Sequence, residues 1–304
     1  MESRAARSQR VLRLLDVSFC LESERPEAFA ILQQLFLTPE FEAVADGDAI
    51  HARFHIDTTS ATGCSVEVDG ALTPLGPADG AAFLVSEWVF LRLLQESRRF
   101  ALVHSAAVAR HGRGVLVVGP PEAGKTTLAV ALAQHGCEYY SDDVAPLNRV
   151  DGTLHPFRKA AAVRLSQGIR RYHLPGLRGA AAQSRAPSPC PVGWVFLLEP
   201  RHNGRSTSVP GMPTIEEVPR DKAALALLRH TMNRVVNGEL SVSYGEHPHL
   251  KAYGDIFASL SAARCFRLTA VEPETTALAL VDLIDDQSRD ATPADEPRSV
   301  GSPL

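Results

Sequence analysis

The stretch GVLVVGPPEAGKTTLAVALAQHGCEYYSDDVAPL, Gly114 to Leu147, decides how this chain is read. Its first five residues are apolar and valine-rich, which predicts a buried strand. The run TTLAVALAQHG is rich in alanine and leucine and ends on Gly136, which predicts a helix with a glycine stop. Between them GPPEAGKT, Gly119 to Thr126, fits G-x-x-x-x-G-K-[ST] without a mismatch. Glycines at Gly119 and Gly124 let the backbone turn tightly and approach an anion with no Cβ in the way. The amides of Pro121-flanking residues Glu122 and Ala123, together with those at the helix start, can line an anion-binding concavity. Pro120 and Pro121 belong to the same loop and count among its candidate nucleotide-binding residues. Lys125 would neutralise the outer phosphates of a nucleotide, and Thr126 would offer its hydroxyl to Mg²⁺, with Thr127 beside it. Glu122 is the odd residue. Its carboxylate would repel phosphate if it pointed inward, so it is expected to face solvent.

A second apolar run, CEYYS, is expected as a short strand beside the first and delivers Asp142 and Asp143 at its end. A carboxylate beside bound phosphates can hold Mg²⁺ directly or through water, or can take the proton from an attacking hydroxyl. Side chains on a strand point to alternate faces, so the two are expected to divide these jobs. Adjacent aspartates also occur as a solvated acidic turn. His104, in the apolar run ALVHSAAVA, is read as part of the strand before the loop, either as a hydrogen-bonded core residue or as a participant.

The bulk properties fit a globular chain. There are 304 residues, with 45% hydrophobic and 22% charged, enough for a sizeable core. The net charge of -4 gives no reason to expect nucleic acid or an anionic membrane as partner. No apolar run approaches the ~20 residues that cross a bilayer, and Arg13 and Asp16 interrupt the only apolar stretch near the start, so no signal peptide is read. Five cysteines without a C-x-x-C pair argue against a zinc site or a disulfide framework and fit a cytoplasmic protein.

Residues 1–99 read as a small α+β region with a structural or substrate-docking role. RLLDVSFCL is expected as a strand, RPEAFAILQQLFL as a helix, and CSVEVDGALTPL as two strands turning at Asp69-Gly70. AAFLVSEWVFLRLLQES is expected as a helix that shares a face through Leu84, Trp88, Leu91 and Leu94. Residues 100–286 read as an α/β core of alternating strands and helices. Ala181–Pro191 reads as a loop, and residues 287–304 as a disordered tail.

The run VHSAAVARHGRGVLVVGPPEAGKTTLAVALAQHGCEYYSDDVAPL resembles the catalytic core of the HPr kinase/phosphorylase family and of its relatives, among them kinases of lasso-peptide precursors. The shared pattern is a histidine with small residues, a strand into a P-loop, a helix and an Asp-Asp pair. The resemblance is close over roughly residues 100–150. It implies a compact P-loop kinase core of the HPr kinase/phosphoenolpyruvate carboxykinase type with a mixed sheet, using ATP and Mg²⁺. It further implies that Gly119, Gly124, Lys125, Thr126 and Thr127 bind phosphates, that Asp142 activates the acceptor hydroxyl, that Asp143 lies near the metal, and that His104 contacts the catalytic aspartate. The chain departs from the family in Pro121 and Glu122, where Ser-Gly is usual. HLPGLRG, His173 to Gly179, also lacks the acidic residue of the signature tied to the reverse reaction. Arg158 and Lys159 are candidate cations over the transferred group. The expected acceptor is a serine or threonine of a peptide or protein. A small alcohol, a regulatory module that only binds nucleotide, and an NTPase using water are the alternatives, and oligomerisation stays open.

Overall fold

The computed structural model describes residues 8–23, 29, 47, 49–57, 64–68, 70–76, 78–157, 161–165, 168–172, 188–199, 211–232 and 248–290. The elements are β1 (Ser8–Leu14), β2 (Val17–Ser23), β3 (Ala52–Asp57), β4 (Cys64–Val68), β5 (Ala71–Gly76), α1 (Ala78–Glu96), β6 (Phe100–Val103), β7 (Ser105–Arg110), β8 (Arg113–Val118), α2 (Lys125–Gln134), β9 (Glu138–Ser141), β10 (Ala145–Asn148), β11 (Ala161–Leu165), β12 (Gly168–Tyr172), β13 (Val192–Leu198), β14 (Thr214–Glu217), α3 (Arg220–Arg229), α4 (Pro248–Ser259), β15 (Arg264–Thr269) and α5 (Pro273–Asp290). The class is mixed α/β, and no helix among the described residues is long and apolar enough to cross a membrane.

The central sheet has the order β14-β15-β13-β8-β7-β9. Strands β8, β13 and β15 run parallel, while β7 is antiparallel to both β8 and β9. The apolar runs of β8 and β13 are continuous because both faces of the sheet are covered. Along β8 the faces alternate with the strand's period of two. Val115 and Val117 pack with Leu128 and Leu132 of α2 and with Leu280 and Ile284 of α5. Leu116 and Val118 pack on the opposite side with Ala223 and Leu227 of α3 and Ile256 of α4.

A second sheet, β1-β2-β3-β4-β5, lies under α1. Its apolar cluster takes in Leu12, Phe19 and Phe54, then Val85, Val89 and Leu93 of α1, and continues to Phe100, Leu102, Val144 and Phe157. Packing is therefore continuous across residue 100.

Three readings need correction. RLLDVSFCL is not one strand but parts of β1 and β2, reversed at Leu15, whose φ is 56°. Asp16 makes the reversal tenable. Its carboxylate accepts hydrogen bonds from the Ser97 hydroxyl at 2.7 Å and from the backbone N–H groups of Arg98 and Arg99 at 2.9 and 2.8 Å. The buried stripe of α1 is Val85, Val89 and Leu93 with Phe90, and Leu91 is 52% exposed. Apolar residues surround this helix, so only the sheet it meets selects the face. Helix α5 runs beyond residue 286 to Asp290, and Gln287 accepts a 2.8 Å hydrogen bond from the Trp194 indole, so the start of the expected tail is ordered by a core strand. Strand β14 and the pair β11–β12 had no sequence signal strong enough to name.

Where the Asp69-Gly70 turn is expected, Val68 of β4 pairs with Ala71 of β5 and Gly70 has φ 86°, a conformation open to glycine, while Asp69 lies outside the described residues. Arg158, Lys159, residues 173–187 and residues 291–304 lie outside the described residues, as does most of the helix expected after Pro26.

Candidate active site

Strand register alone gathers the candidate residues at one end of the central sheet. Val118, the last residue of β8, pairs with Ser105, the first of β7. Gly119 and His104 are the next residues outward on each. Ala107 of β7 pairs with Ser141 of β9, so Asp142 and Asp143 emerge towards the same end. Because β8 and β9 are both antiparallel to β7, the loop and the aspartates both follow the C-terminal ends of their strands, where ligands bind in open α/β sheets. The expectation that β9 lies beside β8 is corrected: β7 separates them. The expectation of one strand through His104 is corrected too. The chain leaves the small β6–β10 sheet and enters the central sheet at His104, and it makes the opposite passage at Asp142–Asp143. At such a crossing the backbone groups lose their ladder partners and side chains must replace them.

The replacement is specific. His104 Nδ1 lies 3.1 Å from the Asp143 carbonyl oxygen and 3.1 Å from Asp143 Oδ1. Both are acceptors, so Nδ1 carries the hydrogen. The backbone N–H of His104 donates to the His230 carbonyl at 2.7 Å, which seats the end of α3 against the same crossing. Ser141 closes the turn, its hydroxyl accepting from the N–H groups of Asp143 at 3.3 Å and Val144 at 3.1 Å. The resemblance placed His104 on the catalytic aspartate, taken as Asp142. The structure places it on Asp143.

The two aspartates, both just past the end of β9, differ in surroundings. Asp142 is 6% exposed, and its Oδ1 accepts a 2.9 Å hydrogen bond from the Tyr139 hydroxyl. Asp143 has a side chain 38% exposed.

The loop is built for close approach. A Cβ on Gly119 would stand 2.9 Å from the Leu198 carbonyl oxygen, so any larger residue displaces the end of β13. Gly124 caps α2 at φ 99°, with no side-chain cap and no acidic residue in the first turn, which leaves the helix's positive end facing the loop. Lys125 is buried and donates from Nζ to the carbonyls of Gly119 at 3.0 Å and Pro120 at 3.1 Å. Burial lowers its pKa, and the negative charge of Asp143 pushes it part of the way back. Pro121 and Glu122 are exposed, Ala123 is buried, and Pro120, Thr126 and Thr127 are half-buried. Glu122 thus faces solvent as expected, yet its φ of 65° is left-handed.

Among the described residues no cluster of three His, Cys, Asp or Glu side chains could hold a metal alone. Mg²⁺ does not ask for one, since it keeps waters and binds through one or two protein oxygens plus substrate phosphates. Thr126 and Asp143 fit that demand.

No protein-family model matches the chain. No curated protein matches it. Among solved structures, the Hpr(Ser) kinase/phosphatase from Coxiella burnetii is similar at a TM-score of 0.33 and 15% identity, over 62% of this chain and 97% of that one.

Proposed function

We propose that this chain is a Mg²⁺- and ATP-dependent kinase that moves the γ-phosphoryl group onto a hydroxyl, with a serine or threonine of a peptide or protein as acceptor. One observation carries the reading. An uncapped helix start with a buried lysine and an acidic pair emerge at one end of the central sheet, through the pairing of β8 and β9 with β7. Phosphoryl transfer asks for little more than positioning and charge stabilisation, and these groups supply both.

In this reading the loop amides and Lys125 hold the donor's phosphates and take up charge as the bond to the leaving diphosphate breaks. Thr126 and Asp143 would hold Mg²⁺, which would supply positive charge against the donor's phosphates. His104 keeps Asp143 in place through Nδ1. Asp142 accepts the proton of the acceptor hydroxyl as its oxygen bonds to phosphorus.

The test is transfer from γ-labelled ATP with Mg²⁺ to candidate serine- and threonine-containing peptides. Lys125→Met should abolish transfer while circular dichroism shows the fold retained. Asp142→Asn should slow it by about a hundred-fold or more, the usual weight of a positioned base. A normal rate in Asp142→Asn removes that residue from the role. Tight nucleotide binding with no transfer to any acceptor would favour a regulatory module instead.

A further inference from the structure

Tyr139 belongs to no motif, yet it is the residue on which Asp142 rests. Strand β9 carries two adjacent tyrosines that point to opposite faces. Tyr140 sends its hydroxyl to the Ser188 carbonyl on one side. Tyr139 goes to the other side, 1% exposed, into the apolar cluster of Val108, Leu128 and Leu132. A phenol buried among such neighbours needs a partner for its hydroxyl. It finds Asp142 Oδ1 at 2.9 Å, three residues on and within the turn that Ser141 closes. Burial raises the phenol's pKa well above the ordinary value, and the charges of Asp142 and Asp143 add to this, so the hydroxyl keeps its proton and remains a donor.

A carboxylate on a short side chain at the end of a strand has several rotamers open to it. A hydrogen bond from a ring that cannot move removes most of them. A phenylalanine would fill the same apolar space, so packing alone does not call for the oxygen.

We propose that Tyr139 is a positioning residue, its hydroxyl fixing the Asp142 carboxylate in a single orientation just beyond the end of β9. The consequence for rate rests on the kinase reading given above. The anchoring of the carboxylate does not, and the two can be read separately.

The experiment is Tyr139→Phe, which removes one oxygen and keeps the ring. At a single neutral pH the ¹³C carboxyl resonance of Asp142 should move and its side-chain couplings should average. In turnover, kcat should fall by about ten- to a hundred-fold, the usual cost of losing a group that orients a catalytic one. KM for ATP and the Kd of a non-hydrolysable analogue should stay within about two-fold. An Asp142 resonance that does not move overturns the proposal, and so does an unchanged kcat. A parallel loss of nucleotide affinity and kcat also overturns it, since that marks a general loosening. A moved resonance with no transfer by the unaltered protein supports the anchoring and overturns the kinase reading alone. Should Tyr139→Phe fail to fold, Asp142→Asn must shift the Tyr139 Cζ resonance, and its failure to do so refutes the contact.

Discussion

Glu122 sits at φ 65°, where an L-residue with a Cβ is held at a cost of roughly 1–2 kcal/mol. It does so on the exposed rim of a loop whose purpose, in the proposed reading, is to receive anions. Both facts count against glutamate. Glu122→Gly relieves the left-handed backbone and removes a negative charge, while glycine's greater freedom in the unfolded chain returns part of the gain. The expected result is a net stabilisation of under about 1 kcal/mol in thermal unfolding, with a lower Kd for ATP by calorimetry. Glu122→Ala should tighten nucleotide binding without the thermal gain, since alanine keeps the Cβ. A fall in thermal midpoint for the glycine variant would mean that the glutamate side chain holds the loop together. This residue also shows what a sequence offers at the smallest scale. The exposure of Glu122 followed from charge repulsion alone, whereas its left-handed backbone did not, because φ is set by how the whole loop closes between β8 and α2.

Among the polar ties that join the described elements, one lies at the end of the central sheet away from the candidate site. Arg110, at the end of β7, donates to Asp285 of α5 from Nε at 2.5 Å and from Nη2 at 2.7 Å, and His111 Nε2 lies 2.8 Å from the same carboxylate. The Arg110 guanidinium is the largest cause of an Asp285 pKa held well below the ordinary carboxylate range. A carboxylate depressed in the folded state adds stability above its unfolded value. It gives that stability up as pH falls below about 4, because the unfolded chain then binds the proton more readily. Asp285→Asn should therefore cost about 1–2 kcal/mol at neutral pH and progressively less under acid, read from denaturant titrations at several pH values. A cost that stays constant into the acid range would place the effect in packing. The strand of β8, the helix α2 and the buried strand β13 were legible in the chain because each is a continuous run with local stop signals. The insertion of β7 between β8 and β9 was not, since strand order is decided by pairing between distant segments. The same crossing brings His104 to Asp143, and nothing in the local sequence around either residue announces it.

Among the described residues three apolar clusters lie along the central sheet and under α1, with the candidate site where the chain passes between the sheets. Cys20, Cys137, Cys190 and Cys265 are unpaired thiols buried within these layers. Burial pushes Cys137 and Cys265 up to about 11 and raises the other two. All four should resist a thiol reagent in the native protein and react fully in denaturant, as mass spectrometry of the labelled peptides would show. Rapid native labelling of Cys137 would contradict the packing of α2 against β9. Cysteine spacing argues against a disulfide framework, but which thiols lie deep depends on how the layers stack. The central claim is that the glycine-lysine loop and the acidic pair form one site for phosphoryl transfer. A crystal structure with a non-hydrolysable ATP analogue and Mg²⁺ tests it directly. The terminal phosphate should lie against Lys125 Nζ, with the metal on Thr126 and Asp143 and with Asp142 facing the γ-phosphorus. A nucleotide bound elsewhere, or both aspartates more than about a nanometre from the terminal phosphate, would contradict it.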